Sequence, residues 1–380
     1  MTRLIPALPA LLAILTATSF AIEPPPADWV AAGQKRRDAV PLGGDFKPDA
    51  KVPAFVAVGH GARIVLSRDD GKTWTQVFFG YPGADHGGWA TSSVAYTNGV
   101  FALPVGWTKP TSYLASEDGV KWRHLTDGKT PLDKSDADEM PTTVSMAGGK
   151  GVFVGSGYTT FTATPDFGKS WSTFSLYKLK DDARGKLATH HIKTVWCGDA
   201  SGRFLALGDN RGEGAKFGHL FASDDLGKTW RWLAPKGLDA VTGRGVLRAS
   251  GKVVLLLDPT GESAWRSADG GETWDGPHAT GTKRATLSAV KGEFWLTGKP
   301  SRASADGKTW RDLPATVPAG QITASDKGTL ISTDKKAFTI LRSADEGKTW
   351  TEVFTFKPET EHVHGAQGLQ DVAFGFLNAK

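Results

Sequence analysis

Three cations stand just ahead of short alternating apolar segments: Lys193 before Thr194–Trp196, Arg244 before Val246–Leu247, and Arg284 before Ala285–Val290. With the segments aligned on Val94, Val144, Val195, Val246, Leu287 and Val372, Lys193 and Arg244 sit two residues before the anchor. Arg284 sits three before its anchor and His191 four before its own, while most other segments carry Ser, Thr, Gly or Gln there. Cations gathered at strand starts could recognise an anionic ligand such as a uronic, sialic or sulfated sugar. They could equally be inner-strand cations paired with acids from neighbouring loops. Trp89 and Tyr158 fall in nearby loops and offer faces on which a sugar ring could stack.

The acidic run Asp133–Glu139 contains Asp138 and Glu139, which could supply a general acid or base with His191 close by. The run lacks the Asp-x-Asp-x-Asp-Gly spacing of a calcium loop, and a solvated acidic loop has the same composition. His86, His362 and His364 lie in loops that ring closure would bring together, so three imidazoles could meet at one metal. No carboxylate partner for them is evident. Beyond that option no motif asks for a cofactor, and none is expected.

What must position these residues is a repeat. Seven motifs place Ser or Thr, Asp, Gly and Trp in order: SRDDGKTW at 67–74, SEDGVKW at 116–122, TPDFGKSW at 164–171, SDDLGKTW at 223–230, SADGGETW at 267–274, SADGKTW at 304–310 and SADEGKTW at 343–350. Their tryptophans are separated by 48, 49, 59, 44, 36 and 40 residues, a period close to that of a four-stranded propeller blade. The Asp accepts backbone N–H bonds, the Ser or Thr closes the same turn, the Gly supplies positive φ, and the Trp is expected to pin the outer strand onto its blade.

S-x-D-x-G-x-[TS]-W resembles the Asp-box, or BNR repeat, of the sialidase superfamily and related propellers. Five copies match it in full length, and together the seven span residues 67–350. The resemblance implies a structural repeat lying on the face away from any catalytic centre. It stops short of a sialidase site. That family uses three arginines, a late Tyr–Glu nucleophile pair and an N-terminal Arg in an Arg-Ile-Pro context. Here Gly61-Ala62-Arg63-Ile64-Val65 lacks the proline, and the last tyrosine is Tyr177. A true sialidase is therefore not expected; an enzyme of this kind would be a glycoside hydrolase or a polysaccharide lyase.

The expected fold is all-β: a seven-bladed β-propeller of four-stranded antiparallel blades. The first unit lacks an inner strand ahead of Val52, whereas Leu369–Phe374 follows the last motif without a blade of its own. Setting that C-terminal segment beside Ala54–Gly59 closes the ring and removes its open edges. A short helical turn is expected around Asp28–Gln34. The 3–4 turns then share one face, and the 4–1 and 2–3 loops form the other, ligand-binding face.

Residues 1–21 read as a signal peptide, with Arg3, an apolar stretch over Leu4–Phe20 and the small-x-small site Ser19-Phe20-Ala21. Residues 22–51 form an N-terminal extension and 52–380 the propeller. No later segment is apolar enough to cross a membrane, so a secreted or periplasmic protein, monomeric, is expected. The single Cys197 forbids an intramolecular disulfide and reads as a buried strand residue. The net charge of +5 is spread through lysines of the seven turns, not gathered in a patch, which argues against nucleic acid as a partner. The expected partner is an anionic glycan or, as the alternative function, a protein of the cell envelope bound by a non-enzymatic scaffold.

Overall fold

The computed structural model describes residues 27–80, 91, 93–105, 112–125, 145–157, 160–176, 179, 189–196, 202–210, 219–233, 238, 245–333, 339–355 and 368–379. They form seven four-stranded antiparallel sheets, each a meander from an inner to an outer strand. The inner strands of blades 2 to 7 are Ala95–Thr97, Ser145–Gly149, Thr189–Trp196, Val246–Ser250, Lys283–Val290 and Gln321–Ala324. Blade 1 takes its inner strand from the other end of the chain: Leu369–Leu377 pairs antiparallel with Val52–Gly59, with Phe55 opposite Phe374 and Gly59 opposite Leu369. Consecutive inner strands touch all the way round, so they enclose an axis. Fold and closure are as the sequence implies, with the closing strand running three residues past Phe374.

The core is divided. Its buried side chains fall into seven clusters, and each cluster joins two neighbouring blades. Strand alternation causes this. In Val52–Gly59, Ala54, Val56 and Val58 face blade 2, while Phe55 and Ala57 face blade 7. In Phe204–Asn210, Leu205 and Leu207 face blade 5, while Phe204 and Ala206 face blade 3.

The seven repeat turns serve these junctions. In the first, Ser67 Oγ accepts from Gly71 N at 3.0 Å, and Asp69 Oδ1 accepts from Thr73 N at 2.9 Å. Trp74 Nε1 donates to Gly71 O at 3.1 Å. The Trp-to-Gly bond recurs in every copy but one; Trp310 Nε1 finds no partner among the described residues. The indole does more than fasten the strand to its own blade, as Trp74 does against Phe55 at 6.2 Å; it also packs on the preceding one. Trp230 of blade 4 stacks on Phe161 of blade 3 at 3.8 Å between centroids, and Trp171 of blade 3 stacks on Tyr113 of blade 2 at 5.1 Å. The turn glycine makes this approach possible. At Gly168, φ is 93° and a Cβ would lie 1.6 Å from Leu125 O of blade 2.

Arginines add a polar seam on the same side. Arg203 Nη1 donates to Gly270 O at 2.8 Å, Arg266 Nε to Asp306 O at 2.6 Å, and Arg342 Nε to Asp70 O at 2.8 Å. Arg68 makes the corresponding bond to Asp118 O. Each reaches from one blade to the carbonyl just before the turn glycine of the next.

The N-terminal extension begins with a helix, Ala27–Asp38, longer than the turn expected at 28–34. Arg36 Nε and Arg37 Nη1 hold the carbonyls of Phe79 and Gly80. The chain then bridges Leu42 to His124 at the outer edge of blade 2. Beyond it Phe46 meets the Arg123 guanidinium at 3.8 Å, Lys169 pairs with Asp45 at 2.7 Å, and Lys51 N donates to Leu377 O at 2.9 Å. Residues 42–51 thus cross the repeat-turn side of blades 2 and 3 before entering blade 1. Among the described residues no helix is long and apolar enough to cross a membrane.

Two outcomes follow. Gly168→Ala should cost at least about 3 kcal/mol in urea unfolding, since both φ and the contact with Leu125 O forbid a Cβ. Gly251→Ala, where φ is 58° but nothing lies within 4 Å, should cost only about 1–2 kcal/mol. Equal losses would show that the blade contact contributes nothing. The second concerns acid. Backbone N–H groups of Thr309 and Lys308 hold Asp306 at about 2, and Thr349 does the same for Asp345, against an ordinary 3.8. A depressed carboxylate stabilises the fold above its unfolded pKa and loses that contribution as pH falls through the folded value. Stability should therefore drop steeply from about pH 4 towards 2, below a shallower loss that starts under about pH 6.5, because burial lowers the pKa of His124 and unfolding then takes up a proton. An acid loss complete above about pH 4 would contradict this.

Candidate functional site

The turns and loops sort onto two faces as expected. Thr329, beside a 1–2 turn, bonds the Asp70 carboxylate of a repeat turn, so 1–2 and 3–4 turns share one side. On the other side Thr280 Oγ1 donates to Gly261 O at 2.6 Å, and Arg284 N donates to Thr260 O at 2.7 Å. These bonds join the connection between blades 5 and 6 to the 2–3 turn of blade 5.

Inner strands are tied to one another by side chains. Asp371 Oδ2 of blade 1 accepts from Val94 N of blade 2 at 3.1 Å, and Ser93 Oγ of blade 2 accepts from Met146 N of blade 3 at 3.0 Å. Ser288 Oγ of blade 6 accepts from Ile322 N of blade 7 at 3.0 Å. Polar side chains therefore align the strands around the axis, and register there is set by hydrogen bonds as well as by packing.

Within this ring lies Arg248, on the inner strand of blade 5. Its Nη1 donates to Leu247 O at 2.9 Å, and its Nη2 reaches Gln321 Oε1 of blade 7 at 3.4 Å. The bond skips blade 6, so the side chain crosses the space the inner strands enclose. The residue is partly buried and protein surrounds its guanidinium, as the reach across the ring requires. That enclosure pushes its pKa down, and the Asp371 carboxylate acts in the opposite direction. Among the described residues it makes no ion pair, and two of its five N–H donors are used.

Sequence reasoning missed Arg248 because its alignment slipped. The residues that fill equivalent places against the preceding blade are Val94, Met146, Leu247, Leu287, Ile322 and Val372. Val144 lies outside the described residues, and Val246 is only partly buried and packs towards blade 6. In the doublet Val246-Leu247 either residue satisfies an apolar alternation, and choosing the wrong one reverses every side chain that follows. Hydrophobic pattern left the strand's charged residue unassigned; the better match of Leu247 to Leu287 and Val372 was the available signal.

Of the residues singled out from sequence, Arg284 is described most fully. It is exposed on the loop side, with φ 52° at an irregularity in the pairing of Lys283–Val290. Its neighbour Lys283 pairs with Glu262 at 3.2 Å, whereas Arg284 makes no ion pair among the described residues. His191 and Lys193 lie on the inner strand of blade 4, where the register shifts between His190 and Lys193. Arg244, Trp89, Tyr158, Asp138, Glu139, His86, His362, His364 and Cys197 lie outside the described residues. Among the described residues no group of three or more His, Cys, Asp or Glu could hold a metal.

No protein-family model matches the chain, and no curated protein sequence matches it. Solved structures do. A candidate 6-phosphogluconolactonase from Bacteroides uniformis is 10% identical with a TM-score of 0.53, covering 85% of this chain and 99% of its own. Another from Bacteroides fragilis is 10% identical with a TM-score of 0.50, covering 87% and 99%. YCF48 from Cyanidioschyzon merolae is 14% identical with a TM-score of 0.47, covering 88% and 98%. At such identities the likeness extends to the propeller fold alone.

The inner-strand ties are open to test. Ser288→Ala leaves the buried Ile322 N–H without its acceptor and should lower stability by about 1–3 kcal/mol in urea titration, with the fold intact by circular dichroism. No measurable loss would mean that packing alone sets the register.

Proposed function

We propose that this chain is an exported propeller of the Asp-box superfamily that binds an anionic glycan on its loop face. The observation that carries the reading is Arg248, a guanidinium that reaches across the ring with no ion pair among the described residues. A cation kept from bulk water is costly unless something anionic compensates it. The opposite face is taken up by the repeat turns and crossed by residues 42–51, which leaves the loop face as the approach to the axis. Exposed Arg284 stands on that face, Lys193 lies on the inner strand of blade 4, and Arg244 comes two residues ahead of the inner strand of blade 5 in the sequence. Trp89 and Tyr158 would give a sugar ring its apolar contact. Binding is the primary activity in this reading; Asp138, Glu139 and His191 are the groups that would act as acid or base if the bound glycan is also cleaved. The leader at 1–21 would send the chain out of the cytoplasm.

The test is a glycan array on the purified chain without its leader, carrying neutral, uronic, sialylated and sulfated saccharides. Acidic saccharides should be retained and neutral ones not, with retention falling as salt rises. Arg244→Glu should weaken binding about tenfold or more, while Lys72→Glu, in a repeat turn on the other face, should leave it unchanged. Equal losses at the two positions, or retention of no acidic saccharide, would overturn the proposal in favour of an envelope scaffold that binds a protein.

A further inference from the structure

Ten non-glycine residues among the described ones have positive φ. Asp70, Phe167, Leu226 and Glu346 share one place in the repeat turn, Asn98, Lys150 and Lys291 lie in 1–2 turns, and Ala50 and Ala62 lie in connections. Arg284, at φ 52°, is the one that lies within a strand. The cause is a bulge: Lys283 pairs with Lys299 and Thr286 with Thr297, which leaves Arg284 and Ala285 opposite Gly298. Gly298 permits this, since a Cβ there would stand 2.9 Å from Lys283 O. The Arg284 N–H bonds Thr260 O in the 2–3 turn of blade 5 at 2.7 Å. Similar irregularities occur at the loop-side ends of the inner strands of blades 4 and 1, beside Gly208 and Gly59. Bulges re-aim side chains, and glycine is the residue that takes a left-handed bulge position without strain.

An arginine in that conformation destabilises the fold where a glycine would not. Its backbone bond to Thr260 needs no side chain. The residue is exposed, and its guanidinium makes no hydrogen bond or ion pair among the described residues, whereas the adjacent Lys283 pairs with Glu262 at 3.2 Å. Strained backbone beneath a side chain that holds nothing within the fold points to a contact outside it. We propose that Arg284 is kept in this bulge to meet an acidic group of the ligand, so that the anionic subsite of the loop face stands at the junction of blades 5 and 6 and is maintained at a cost in stability. The exposed fork matches two oxygens of a carboxylate or sulfate group. The bulge and the bond to Thr260 fix where the side chain begins, which reduces the ordering that the contact requires. That the acidic group belongs to a glycan rests on the reading given above; the exchange of stability for an anion contact does not.

Three variants separate this from a structural role. Arg284→Gly removes both the side chain and the strain, and Arg284→Ala removes the side chain but keeps the strain. Lys291→Gly relieves the same conformation, φ 49°, in a 1–2 turn of the same blade on the repeat-turn side. In thermal unfolding of the purified chain, Arg284→Ala should keep the wild-type midpoint, while Arg284→Gly and Lys291→Gly should each rise by about 1–2 °C. Binding is then measured by calorimetry at fixed ionic strength with an oligogalacturonate, a sulfated dextran oligosaccharide, a neutral cello-oligosaccharide and a poly-glutamate peptide. The wild type should bind the two acidic saccharides and not the neutral one. Both Arg284 variants should lose about tenfold or more in affinity, and Lys291→Gly should lose none. The proposal is overturned if Arg284→Ala unfolds well below the wild type or if Arg284→Gly is less stable than Arg284→Ala, because the residue then holds the fold. It is also overturned if both Arg284 variants bind the acidic saccharides as the wild type does, in which case the glycan reading stands without it. If the wild type binds poly-glutamate alone and the Arg284 variants do not, the glycan reading fails and the subsite stands, with a protein as the source of the acid. Binding of none of the four probes overturns both.

Discussion

Every blade has two apolar faces and must bury both against neighbours, and the rest of the structure depends on that constraint. A four-stranded sheet with alternating side chains cannot form a core alone, because each residue on one face is matched by a residue on the other. Phe55 and Val56 show this at the scale of one peptide bond: the first packs on blade 7 and the second on blade 2. A linear array would leave two faces bare. Pairing Leu369–Leu377 with Val52–Gly59 joins the two ends within one blade, so that all seven junctions are filled. The repeat turns belong to this same requirement. Their glycines and indoles sit where adjacent blades meet, and the arginine seam adds hydrogen bonds at four of those meetings.

The division of labour between the faces comes from the same geometry. Meander connections place the short, uniform turns on one side, where the chain repeats its solution, and the longer connections on the other, where it is free to vary. The inner strands are narrow and polar because they converge on an axis that cannot be packed shut. Side chains there either bond the next strand, as Ser93, Ser288 and Asp371 do, or reach across the enclosed space, as Arg248 does. A bond that runs from blade 5 to blade 7 is held only while the ring is closed.

Much of the fold was legible because the repeat turn is a local device. Its Asp, Gly and Trp have fixed backbone duties, and those duties leave the same letters seven times. The missing inner strand of the first unit was legible for the same reason, as a gap in a count. The direction in which each indole packs was not, since a Trp after a turn looks the same in sequence whether it rests on its own blade alone or also on the one before. The site was harder still. Arg284 was found because it stands at the edge of a clear apolar segment. Arg248 was not, because the doublet Val246-Leu247 hides which residue faces the core, and reach across the ring has no counterpart in sequence spacing. Residues 39–51 carry no period at all, and their course over blades 2 and 3 is set by single contacts such as Phe46 on Arg123.

If the blades are stable only through one another, opening the ring at one place must be felt on its far side. Hydrogen exchange in a chain ending at Gly368, which lacks the closing strand, tests this most directly, read at amides of Phe204–Asn210 in blade 4 and of Leu330–Thr333 beside the cut. The account predicts that protection is lost at both places together. Protection retained in blade 4 while blades 1 and 7 exchange freely would show that the blades are stable singly, and would contradict it.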